Sequence, residues 1–321
     1  MNSSPSYIPK VTIIVPNYNH AQYLEKRIES ILGQTFQDFE LILLDDCSSD
    51  GSEEIFNKYK NQCKISHIFF NEENSGSPFG LWQYGIEKAR GKYIWIAESD
   101  DWSENSFLEE VIPLIEESNA VLAHTNSSFY INNEFKPNHW WDSFKSDNWK
   151  SDYVKEGSFI LSKYGRFKCP VINVSSAVFR KDSIKENFYP FEYRYCGDWK
   201  FWIDVFMTGK VAYVAKPLNI VRIHNLSATS NKKDNYIKKL NENVKVVNYV
   251  NGALNYKASY SKDYRWLIDL WISIFVNTGQ YFSKANHSVD LPFSFKFIFY
   301  KLYLKLILKR GFNKIKKIYD S

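Results

Sequence analysis

Tyr93–Trp102 reads YIWIAESDDW: five apolar or small residues run straight into three acids, Glu98, Asp100 and Asp101. A continuous aromatic and β-branched run of this kind predicts a strand buried on both faces, because a half-exposed strand would alternate. Carrying three carboxylates into the core would be costly, so the acids are expected at the strand's carboxyl end, where it emerges. Open α/β sheets hold their ligands at that edge. Carboxylates crowded there repel one another unless a cation joins them, and oxygen ligands suit Mg²⁺ or Mn²⁺. The competing reading is a solvated turn in which Asp101 or Ser103 caps the next helix.

Upstream the same arrangement repeats. VTIIVP (11–16) is a buried-strand candidate followed by Asn17-Tyr18-Asn19-His20, then a helix with Leu24, Ile28, Ile31 and Leu32 on one stripe. FELILL (39–44) ends in Asp45-Asp46. Ser48, Ser49 and Asp50 are N-cap types, and Gly51 eases the turn into a helix over 52–62. Ile65–Phe70 is a third strand, and a third helix carries Phe79, Trp82 and Ile86 before breaking at Gly91. The alternation predicts an α/β fold with parallel, doubly wound packing. Val15 is followed by no G-x-G-x-x-G and the P-loop pattern is absent, which argues against a dinucleotide-binding fold.

Downstream, a helix is expected over 104–117 and a strand at VLAH (121–124). Residues 125–168 read as irregular, with Trp140, Trp141, Trp149, Tyr153 and Phe159 forming either a lid on the core or a platform for sugar rings. PVINVSSAVF (170–179) resembles a strand and turn. Gly197-Asp198 precedes a helical run, where Asp198 alone reads as an N-cap. Val211–Ala215 is a further strand, followed by Pro217 and VRIHNLSATS (221–230). Residues 232–280 are predominantly helical.

The 321 residues, 44% hydrophobic and 17% aromatic, can fill a sizeable core. Cys47, Cys63, Cys169 and Cys196 show no metal-ligand spacing and read as reduced thiols. With no apolar leader-like run near residue 1, the expected location is the cytoplasm. Charge is uneven: residues 291–321 hold eight Lys/Arg and one acid, a local +7 against +5 for the whole chain. Its interleaved aromatics and lysines predict an amphipathic helix on the anionic inner face of the cell membrane; the alternative is a helix docked on the protein's own core. Nucleic acid is not an expected partner.

VTIIVPNYNHAQYLEKRIESILGQTFQDFELILLDDCSSDGS, GIEKARGKYIWIAESDDW, YCGDWKFW and RIHNLSATS together resemble the nucleotide-sugar-dependent glycosyltransferases of family 2, over roughly residues 8–230. That resemblance implies a GT-A fold, a Rossmann-like, mixed, mostly parallel sheet flanked by helices, in residues 1–230, with a helical extension over 231–321. It also implies an inverting, metal-dependent transfer from a nucleoside-diphosphate sugar, UDP- or dTDP-linked, to a glycan or lipid-linked acceptor of cell-surface polysaccharide synthesis.

By similarity, Pro16, Tyr18, Asp45 and Asp46 line the nucleotide pocket, with Gly76 in the following small-residue stretch. ESDD stands at the DxD position, making Asp100 the principal ligand of Mn²⁺ or Mg²⁺, with Glu98, Ser99 and Asp101 toward the donor. His224 completes the metal site, Arg222 meets the donor, and Asp198 is the base. Two departures stand out: Glu98 replaces the usual Asp, and SGSPFG (75–80) lacks the Arg often found near there. They leave open a non-catalytic sugar-nucleotide or glycan-binding protein on the same scaffold.

Overall fold

The computed structural model describes residues 7–224, 236–258, 263–278, 296–297, 300–305 and 308. The chain forms two compact units, Met1–Ser230 and Asn231–Ser321. In the first, β1 (Val11–Asn17), β2 (Phe39–Asp45) and β4 (Tyr93–Ile96) are buried at every position, as their unbroken apolar runs require. With β3 (Ile65–Phe70) they pair in parallel in the order β3-β2-β1-β4. The crossovers are α1 (Ala21–Leu32), α2 (Ser52–Tyr59) and α3 (Pro78–Lys88). Helix α2 is shorter than the 52–62 expected. At Gly91 an added Cβ would lie 2.5 Å from the Thr12 backbone nitrogen, so only glycine lets the chain enter β4 beside β1.

Beyond β4 the sheet departs from purely parallel packing. The path continues β9-β6-β10-β5, and β9 (Ala177–Arg180) runs antiparallel to both β4 and β6 (Leu122–Ile131). The result is the mixed sheet, with a parallel first half, that the resemblance implied. Strand β6, reached through α4 (Phe107–Ser118), is far longer than VLAH. Residues 125–168 are correspondingly less irregular than their composition implied: they hold the end of β6, then β7 (Glu134–Lys136), β8 (Tyr153–Glu156) and α5 (Gly157–Ile160). Trp141 and Trp149 stack on each other at 3.6 Å and are buried, so these two rings serve the core. Cys47 and Cys63 are exposed, and Cys169 and Cys196 are buried.

After α6 (Gly197–Phe206) comes β10 (Lys210–Ile223), which runs well past Ala215. Its register against β6 shifts around Pro217, which has no N–H for the ladder. Past the shift, Asn219 and Ile220 pair with β5 (Trp102–Ser103), directly after the acids. That pairing brings the end of β10 to the end of β4.

The second unit contains α7 (Tyr236–Ala253) and α8 (Arg265–Thr278), with Leu240, Val244, Val247, Leu267, Ile268 and Trp271 buried. Residues 225–230 of the RIHNLSATS segment and most of the 291–321 tail lie outside the described residues. Among the described residues no helix is long and apolar enough to cross a membrane.

Candidate active site

The carboxyl ends of β1, β2 and β4 border a cavity of about 290 Å³. Pro16, Tyr18, Asp46, Gly76, Glu98 and Ser99, all singled out in the sequence, line it. Asp46 is buried. Its carboxylate accepts the Ser75 N–H on both oxygens at 3.1 Å, the Ser75 hydroxyl at 2.8 Å and the Asn71 amide at 2.6 Å. It therefore anchors the 71–77 loop along the cavity rim. Gly76 turns that loop at φ +70°, a conformation open to glycine, and Ser77 with Pro78 starts α3. Asp45 faces elsewhere in the lattice of bonds: it accepts from Asn17 Nδ2, the Ser48 N–H and the Ser48 hydroxyl, each at 2.7 Å, and is not a lining residue.

A guanidinium does reach this rim, from a distant part of the chain. Arg194 lines the cavity and donates to the Gly76 carbonyl. It stands where SGSPFG lacks an arginine, and the separation of 118 residues hid it from sequence reading. Arg222, expected at the donor, is not among the lining residues. Its side chain donates to the Asp100 carbonyl and its backbone N–H to the Asp101 carboxylate, both at 3.0 Å.

The ESDD acids sit at the end of β4, as expected, but they are not all solvated. Asp101 is buried and held by Arg222 N–H and the Ser175 hydroxyl at 2.9 Å. The same Ser175 oxygen accepts the Glu98 N–H at 3.0 Å, while its carbonyl accepts the Trp95 indole N–H. Beneath them lies Arg27, fully buried, donating Nε–H to the Glu98 carbonyl at 2.8 Å. Burial, then the neighbouring Asp100 and Asp101, pushes Glu98 up to about 8; burial and Asp100 raise Asp101 to about 7. Burial also opposes ionisation of Asp100, yet the His224 hydrogen bond and the nearby His20 hold it below the usual carboxylate range. Of the three, Asp100 is therefore the carboxylate whose ionised form is most favoured.

Asp100 Oδ2 lies 2.9 Å from His224 Nε2, across 124 residues of sequence. His20, which the sequence reading passed over, joins them: one ligand atom from each of His20, Asp100 and His224 lies within 4.8 Å of the others. Asp198 lies in the first turn of α6 and is half-buried; the N-cap position belongs to Cys196, which gives no side-chain cap. Its helix start packs tightly on α3, since a Cβ on Gly197 would fall 2.3 Å from Phe79.

The Asp100–His224 pair thus lies at the end of β4, next to the Glu98 and Ser99 that line the cavity, within a mixed sheet. The Glycosyl transferase family 2 model matches residues 12–188. An uncharacterized glycosyltransferase of Haemophilus influenzae is 31% identical over 230 residues, covering 70% of this chain and 84% of the relative. TuaG of Bacillus subtilis, a glycosyltransferase named for teichuronic acid biosynthesis, is 32% identical over 37% of the chain, which spans 47% of that relative's length. The chain spans about a third of a further relative from Rickettsia bellii, 32% of its length. Among solved structures, S. aureus TarS superposes with a TM-score of 0.59 at 20% identity over 89% of this chain and 76% of TarS. The mannosyltransferase PcManGT of Pyrobaculum calidifontis, solved with GDP-Man and Mn²⁺, gives 0.58 at 15% over 87% and 77%. At these identities the two structures establish a shared GT-A-like architecture, and the family match with the Haemophilus relative establishes the rest: this chain belongs to glycosyltransferase family 2.

Proposed function

We propose that the chain is an inverting, divalent-metal-dependent transferase that moves a sugar from a nucleoside diphosphate to a glycan or lipid-linked acceptor of cell-surface polysaccharide. The observation that carries this reading is the Asp100–His224 pair at the end of β4, 2.9 Å apart, beside a cavity whose rim loop Asp46 anchors. TarS has been solved with UDP-GlcNAc and PcManGT with GDP-Man and Mn²⁺, and TuaG is named for teichuronic acid synthesis; each supports the donor class or setting by likeness.

In this reading the base and ribose enter between Tyr18, Pro16 and the loop that Asp46 anchors. Glu98, protonated more readily than an ordinary carboxyl, donates or accepts at a ribose hydroxyl, and Arg194 supplies positive charge at the rim. A carboxylate and an imidazole, from Asp100 and His224, suit a divalent ion and would hold it. Such an ion supplies the charge that neutralises the leaving diphosphate. The acceptor hydroxyl loses its proton to Asp198 as it attacks. With one carboxylate proposed at the acceptor and none as nucleophile, attack is direct and the anomeric centre inverts. The basic tail over 291–321 places the enzyme at an anionic membrane surface.

Purified protein with Mn²⁺ and a panel of nucleotide sugars releases nucleoside diphosphate when acceptor is supplied. Asp100→Ala and Asp198→Asn both reduce turnover by at least about a hundredfold, within the range for a lost general base. A fully active Asp198→Asn removes the assigned base, and a product with retained anomeric configuration by NMR removes inversion.

A further inference from the structure

We propose that His20, on the loop between β1 and α1, is a third protein ligand of the divalent ion, and that the resulting two-imidazole, one-carboxylate set selects Mn²⁺ over Mg²⁺. This rests on the reading in which Asp100 and His224 hold that ion. Ligands around one first-row ion bind at about 2.0–2.2 Å, so they stand roughly 3–4 Å apart. The donor atoms of His20, Asp100 and His224 already lie within 4.8 Å of one another, a spread that small side-chain rotations close.

The His20 ring is prepared for this role. Its Nδ1 is hydrogen-bonded to the Ser99 hydroxyl at 2.9 Å, and Ser99 is itself buried within the ESDD turn. A metal-binding histidine commonly uses its other nitrogen in this way, which fixes the ring and leaves Nε2 to coordinate. The loop carrying it is pinned as well. Asn19 adopts φ +54°, its N–H bonds Ser48 Oγ at 2.9 Å, and its amide oxygen accepts the Ser49 N–H at 2.8 Å. His20 meets the His224 ring edge-on at 5.5 Å, and Tyr23 closes the other side at 4.9 Å from His224. Two rings from opposite ends of the first unit thus flank one carboxylate. Magnesium demands oxygen ligands and keeps its waters, whereas imidazole suits transition ions.

The competing role for His20 is packing plus the Ser99 hydrogen bond. His20→Gln preserves a hydrogen-bonding group but is a poor ligand. Calorimetric titration of the full chain with Mn²⁺ alone and Mg²⁺ alone, with Co²⁺ absorption as a second readout, separates the two. The wild type is expected to bind Mn²⁺ at least about tenfold tighter than Mg²⁺, a margin that His20→Gln erases while weakening Mn²⁺ binding about tenfold. The Co²⁺ ligand-field bands change in His20→Gln, and its thermal midpoint stays at the wild-type value. Wild-type Mn²⁺ affinity in His20→Gln, with Asp100→Asn and His224→Gln both impaired, overturns the third ligand and leaves the two-ligand site standing. Unchanged Mn²⁺ binding in all three variants overturns the site as a whole. Tighter Mg²⁺ than Mn²⁺ binding by the wild type overturns the selectivity.

Discussion

His124 on β6 has a fully buried imidazole, and neither ring nitrogen has a hydrogen-bond partner among the described residues. Trp149, Phe206 and Tyr213 surround it. Burial lowers its pKa from 6.5 to about 3, so the folded state stays neutral where the unfolded chain takes up a proton. Stability is therefore full above pH 6.5 and falls as pH drops toward 3. At pH 5 the loss is about 2 kcal/mol. Urea denaturation at pH 7 and pH 5 measures it, and His124→Leu is expected to remove that share of the acid sensitivity. Arg27 presents the opposite case, a buried cation among Glu98, Asp100 and Asp101. Arg27→Met removes the Nε–H bond to the Glu98 carbonyl and the cation near Asp100 and Asp101, and is expected to cost roughly 1–3 kcal/mol, read by the same denaturation at pH 7. The signal for Arg27 was available in the sequence: it stands three residues after Leu24 and four before Ile31, on the helix face that faces the core.

Between secondary-structure units, the start of α6, which carries Asp198, packs on α3, whose Pro78 and Leu81 line the cavity. Gly197 leaves room for the Phe79 ring, and a Cβ there would meet Phe79 Cζ at 2.3 Å and Pro190 Cγ at 3.0 Å. Gly197→Ala is expected to destabilise by about 1–3 kcal/mol, the usual cost of overpacking. It is also expected to lower kcat, because α6 carries the proposed base. Phe79→Leu in the same chain should restore much of both, a coupling that a double-mutant cycle on thermal stability and turnover would measure. Strand β10 makes a parallel point. Its register shift at Pro217 lets one strand pair first with β8 and then with β5, which carries Arg222 and His224 to the acids.

At the level of the whole molecule, the basic tail sets a separate expectation. Removing residues 291–321 should move the protein from pelleted anionic vesicles to the supernatant, with no shift on neutral vesicles; co-sedimentation reads this directly. The α/β class, the buried strands β1, β2 and β4 and the acids at the end of β4 could all be read from one dimension, because a strand buried on both faces must be continuously apolar and must shed its charges at its end. That Asp46, Glu98 and Ser99 share one cavity was an expectation of the family resemblance, not of the strand pattern. The family resemblance had already paired His224 with Asp100. What local pattern could not supply were the partners from far along the chain, Arg194 on the Gly76 carbonyl and Ser175 between Glu98 and Asp101. Neither could it reveal the antiparallel β9 or the strands hidden in 125–168, since pairing depends on where a distant segment docks. Residue order dictates periodicity and the placement of charge along each segment; long-range packing dictates which charges meet, because desolvated groups are satisfied by whatever neighbour the fold brings within 3 Å, whatever its distance in sequence.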